Sequence, residues 1–151
     1  MPSAAIAAYG TLLKRGSSPS GTNINSTYVN IGEVKSIKGP STEVSVLDVT
    51  THSSAASGNY REKLPSLIEP GEVEFGINYV PSDATIQSMR SDLVNRTKRD
   101  FKLQTPADSS GASSNMLFSG YVTSFPLEFP TDDVMSATIK ITLTGAITFT
   151  P

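Results

Sequence analysis

The chain has 151 residues, 37% of them hydrophobic and 17% charged, and a formal net charge of −2. One domain of this size can enclose a single real core, but so small a charge supplies no basic stripe for nucleic acid and no pull toward an anionic membrane surface. The absence of cysteine excludes a disulfide framework and thiolate chemistry, and no stretch approaches the ~20 apolar residues of a membrane span.

The first residues, MPSAAIAAYGTLLKRG, lack the basic start and the apolar run of a secretory signal. They lead into GSSPSGTNINST, too rich in Gly, Ser and Pro to pack alone, so residues 1–27 read as an N-terminal arm and 28–151 as a single domain. From Tyr28 the pattern turns strand-like, with Val29 and Ile31 in one phase and Val34 in the other. That slip predicts a bulge at Gly32-Glu33. Gly39-Pro40 marks a turn, and Glu43 to Val49 is the next strand.

Between Thr50 and Pro70 runs a long polar excursion that carries Tyr60, Leu64, Leu67 and Ile68. Loops of this length inside a small domain are usually functional or disordered, and these apolar side chains suit docking. The strand behind it alternates strictly, with Val73, Phe75, Ile77 and Tyr79 on one face and Glu72, Glu74, Gly76 and Asn78 on the other. From Glu43 to Glu74 there are six acids against two bases, so the polar face of this region is expected to be acidic.

Pro81-Ser82-Asp83 ends the strand and offers an N-cap, and Ile86, Met89 and Leu93 recur at i, i+3 and i+7, predicting one helix over about 83–95. Arg96, Lys98 and Arg99 then sit by its negative end. A short strand near Asp100 to Gln104 leads to a flexible tip, DSSGASSN. Met116 to Phe129 is apolar in both phases, which predicts burial on both faces until Pro126. In the last segment Met135, Ala137, Ile139, Ile141, Leu143, Ile147 and Phe149 alternate with polar residues. At ~3.3 Å per residue this strand is about 50 Å long and overhangs an ordinary sheet unless Gly145 bends it or another subunit covers it. The expected fold is mostly β (α+β), a β-sandwich or partly open barrel with one flanking helix and a long inter-strand loop.

Chemistry finds little support. His52, the only histidine, lies near Asp48, Ser53 and Ser54, but sequence neighbours in a polar loop lack triad geometry and there is no nucleophile elbow. One histidine with scattered acids does not make a metal site, and phosphate-binding glycine motifs are absent. No cofactor is expected. Lys98 to Lys102 is a small basic cluster beside Phe101, which the helix end explains more simply than nucleic acid does.

The order of short motifs is more telling. Asp48-Val49-Thr50-Thr51-His52-Ser53, Tyr60-Arg61-Glu62, Pro65-Ser66-Leu67 and Gly71-Glu72-Val73 follow one another, preceded by Gly10-Thr11-Leu12-Leu13, Ile31-Gly32-Glu33-Val34 and Gly39-Pro40. Gly120-Tyr121-Val122-Thr123-Ser124-Phe125 and Thr144-Gly145-Ala146 come last. In that order and spacing the chain resembles the major tail tube proteins of long-tailed, siphovirus-type bacteriophages. The resemblance implies a virion subunit made in the bacterial cytoplasm that forms hexameric rings, stacked as the hollow tube through which DNA is ejected. Its partners would be copies of itself and the tail tip, terminator and tape-measure proteins, with DNA passing unbound and no membrane contact. Inter-subunit contacts are then expected from Thr50, His52, Tyr60, Arg61, Glu62, Leu64 and Leu67, and a lumen-facing row from Glu72, Glu74, Asn78, Thr138, Lys140 and Thr142. Two other readings are another ring-forming tube or terminator subunit and a small β-sandwich that binds carbohydrate or protein. The second is poorly supplied, having five Tyr and no Trp for an aromatic platform.

Overall fold

Alternating apolar residues give a strand one face that must leave water, and most strands of this protein spend that face on a single shared core. The computed structural model describes residues 7, 9–19, 28–52, 58 and 60–150, with 17–19 described by backbone alone. Among them are ten strands: β1 (Leu12–Pro19), β2 (Tyr28–Asn30), β3 (Val34–Lys38), β4 (Glu43–Asp48), β5 (Lys63–Glu69), β6 (Glu72–Asn78), β7 (Arg99–Gln104), β8 (Asn115–Ser124), β9 (Leu127–Glu128) and β10 (Ser136–Thr150). The helix, α1, spans Ala84–Asn95. An antiparallel sheet runs in the order β2-β1-β7-β8-β10-β6-β3, with β9 also on β10, while β4 and β5 pair only with each other.

The eight-stranded sheet is rolled but not closed. Strands β2 and β3 occupy its opposite edges, yet only Ile31, Gly32 and Glu33 separate them. Three residues reach about 10 Å, so the two edges come close at this point. The Ile31 amide donates to the Leu13 carbonyl at 2.9 Å and the Asn78 amide to the Glu33 carbonyl at 3.1 Å. The phase slip at Gly32-Glu33 is thus a turn that carries the chain from one edge to the other, in place of the expected bulge. From this tie the seam widens along β3 into a cleft of about 530 Å³ between Tyr9–Thr11 and Val34–Gly39.

Residues 1–27 do not all behave as an arm. Leu12 to Pro19 is a strand held between β7 and β2, and Leu13 is in the core; residues 20–27 lie outside the described residues. The Gly, Ser and Pro content that suggested flexibility is accommodated because backbone hydrogen bonds need no particular side chain.

Phe75, Ile77, Ile139 and Ile141 from β6 and β10 meet Phe101 and Phe118, whose rings stack at 6.0 Å. Helix α1 closes the open side with Ile86 and Met89, both buried. Asp83 caps it, its Oδ1 accepting from the Thr85 amide at 2.8 Å. Strand β8 buries only one face, through Phe118 and Val122, and leaves Tyr121 exposed on the other, so the expected two-sided burial does not occur. The DSSGASSN tip is an ordered turn, in which Asp108 Oδ1 accepts from the Ser110 and Ala112 amides at 2.8 and 3.0 Å. The Ser110 hydroxyl, followed by these amides, holds the Asp108 carboxyl below the ordinary carboxylate range.

Strand β10 changes partners along its length. Ser136 to Thr142 pairs with β6, whereas Thr148 to Thr150 has only β8 beside it, after a register shift that spans Gly145 at φ 79°. Phe149, in this overhang, is exposed.

Candidate assembly surfaces

Strands β3 and β4 on one side, and β5 and β6 on the other, form one long hairpin with a kink. Its inner half belongs to the sheet, through β3 on β6, and its outer half is the β4–β5 ribbon. At the kink the backbones cross closely. A Cβ on Gly71, which has φ 83°, would lie 2.1 Å from the Ser41 carbonyl oxygen, and one on Gly39 would lie 2.5 Å from that of Glu72. Only glycine fits either place.

Every residue of β4 and β5 is exposed, including Val44, Val46, Leu47, Leu64, Leu67 and Ile68. This corrects the expected loop: Leu64 and Leu67 sit on a paired strand, and the connection proper is 49–62. Thr50 and Glu62 pinch its base, the Glu62 amide donating to Thr50 Oγ1 at 2.9 Å and the Val49 amide to the Glu62 carbonyl at 3.0 Å. The Thr50 hydroxyl, then its amide, pulls the Asp48 carboxyl below its ordinary range, with Arg61 adding at 3.7 Å. Tyr60 and His52 are exposed. Residues 53–57 and 59, at the tip, lie outside the described residues.

The expected lumen row does share one face, because β6 and β10 pair Glu72 with Thr142, Glu74 with Lys140 and Asn78 with Ser136, and Thr138 lies between on the same side. That face is less acidic than expected. Lys38 of β3 and Lys140 of β10 both stand opposite Glu74, and exposed Lys35 sits at the register shift of β3, so these three strands hold two glutamates and three lysines. Farther around the sheet Thr123 and Thr142 hydroxyls approach to 3.0 Å. Asn78 is half-buried, and its Oδ1 has no hydrogen-bond partner.

One polar cluster was not foreseen. Asp92, on the inner face of α1, is 3% exposed and accepts from Arg15 Nη2 at 2.7 Å and Arg99 Nη2 at 2.8 Å, each arginine adding a second bond through Nε. The helix-end reading of Arg99 gives way to this ion triad, which ties β1 and β7 to the helix. The available signal was Asp92 itself, a charge three residues beyond buried Met89 on the same helix face. The aspartate serves packing, and among the described residues no three His, Cys, Asp or Glu gather as a metal site requires. No helix among the described residues is long and apolar enough to cross a membrane.

A rolled sheet plugged by one helix, an unburied apolar ribbon and a polar sheet face together define a subunit that completes itself by association. The sequence model of the lambda phage tail tube protein family matches residues 14–150, and the chain belongs to that family. It is a structural virion protein of the phage tail tube. Similar solved structures include the virion of a native gene transfer agent particle, with 17% identity and a TM-score of 0.71 over 97% of this chain and 100% of that one. The SPP1 tail tube has 11% identity and a TM-score of 0.64 over 89% and 73%. The extended sheath–tube complex of an extracellular contractile injection system has 12% identity and a TM-score of 0.69 over 97% and 91%. No curated protein sequence matches it.

Proposed function

We propose that copies of this chain close into hexameric rings that stack as a hollow tube, with the polar face of β3, β6 and β10 toward the lumen and the β4–β5 ribbon docked on an adjacent subunit or ring. The observation that carries this reading is the ribbon. An isolated two-stranded hairpin is at best marginally stable in water, and this one exposes apolar side chains along both strands. Burial against a second copy removes that surface from water and fixes the ribbon at the same time.

The wall chemistry suits a conduit. DNA binds basic surfaces tightly because its phosphates release counterions there; a face on which Glu72 and Glu74 stand against Lys38 and Lys140 is not the dense basic surface that would arrest it. Passage without binding follows, and no catalytic step is assigned to the chain. Tail tip, terminator and tape-measure proteins would meet the ends and interior of such a tube.

Negative-stain electron microscopy of the purified chain across a concentration series tests this directly. Hollow filaments or stacked rings are expected. Strict monomers at every concentration would reject unaided assembly of the chain into rings.

A further inference from the structure

Beyond β6, at the end of the body away from the ribbon, lies a second exposed apolar surface. Tyr79 directly follows β6, and its amide donates to the Met135 carbonyl at 2.9 Å. The Tyr79 ring meets Phe129 edge to face at 6.3 Å, and Phe129 is 61% exposed. Arg90 from α1 stiffens the group: its guanidinium sits 5.6 Å from the Tyr79 ring centroid and 5.5 Å from that of Phe125, and Nη2 donates to the Tyr79 hydroxyl at 2.8 Å. Exposed Val134 and Met135 extend the patch. Around it stand Glu128, Asp132 and Asp133, all exposed. An apolar centre with rigid aromatic anchors and a charged rim is the form that protein-binding hot spots take, and side chains already held in place lose little entropy on docking.

We propose that this patch, centred on Tyr79, Phe125, Phe129 and Met135, is the seat for the β4–β5 ribbon of a second copy, placed head to tail along the β6–β10 strand direction. The inference rests on the tube reading and names the surface that receives the ribbon. The strand register supports it. β6 runs from Glu72, where the ribbon leaves, to Asn78, where the patch begins, so the ribbon and the patch lie at opposite ends of one pair of strands. A contact between opposite ends is heterologous, and repeated along the strand direction, where no rotation closes it, it generates a filament. Charge agrees with the polarity. The root of the ribbon is purely acidic, with Glu43 opposite Glu69, whereas at the far end Arg61 and Lys63 offset Asp48 and Glu62, so the far end is the one that an acidic rim repels less.

The test exploits the absence of native cysteine. In the full chain, Leu64→Cys, next to Lys63, with Val134→Cys, next to Asp133, oxidised after assembly, should give a ladder of covalent multimers on a non-reducing gel, while either single variant should go no further than the dimer. Independently, Arg61→Glu with Lys63→Glu should raise the concentration needed for filaments about tenfold or more, as should Asp132→Lys with Asp133→Lys. Combining all four should recover most of that loss. Normal filaments that give no ladder, and a four-fold variant no better than its parents, would overturn the seat and leave the tube standing. No filaments from the unmodified chain would remove the self-assembly reading, and the seat with it.

Discussion

Asp92 holds two guanidinium groups out of water, and their energies are unequal. Asp92→Asn leaves Arg15 and Arg99 buried without an anion, a change that typically costs ~3–5 kcal/mol. Arg15→Met should cost less, because Asp92 keeps Arg99. Urea denaturation midpoints of the two variants check the order. Asp83→Ala removes the helix cap and should cost about 1 kcal/mol, read as a fall in Tm. The acids also set a pH limit: Asp48 and Asp108 titrate below their unfolded values, so what they stabilise is complete above the ordinary carboxylate pKa and is lost as pH falls through their lowered ones. Protection of the Thr50 and Ala112 amides, measured against their intrinsic exchange rates at each pH, should therefore fall first in acid. Asp83 was legible because a cap acts on its own next residues. Asp92 was not, since one of its partners lies 77 residues away.

The kinked hairpin is the element on which the proposed assembly depends. Gly71→Ala puts a Cβ against the Ser41 carbonyl at a backbone angle that L-residues avoid; strain of this kind costs on the order of 1–3 kcal/mol. The expected result is a re-aimed ribbon, with the helix and core intact by circular dichroism and filament yield sharply reduced. The strands that feed the core, β6 and β10, were plain in the sequence because alternation records burial on one side. Strand β5 was not, because both its faces are exposed and Pro65 interrupts it, so there was no burial to record. Strand β1 was masked by composition, although β2 and β7 flank it. The ribbon was therefore predicted as a loop, while Leu64 and Leu67, the residues proposed to dock, were already in view as exposed apolar side chains.

At the scale of the whole molecule, the proposed lumen face makes wall charge the variable that would govern how DNA moves. Particles whose tubes carry Glu72→Lys should eject DNA more slowly, and unchanged ejection kinetics would show that this face does not line the channel. Glu74→Lys is a poorer probe, since it would set three lysines on adjacent strands at a folding cost of up to ~1 kcal/mol. The three-residue tie at Ile31–Glu33 bears on assembly in another way. The seam of the sheet is stitched at one end and gapes at the other, beside Gly39 where the hairpin bends. A strand pairing with β3 from the Gly39 end would run up against the Ile31–Glu33 tie, which sets how far along that edge it could reach.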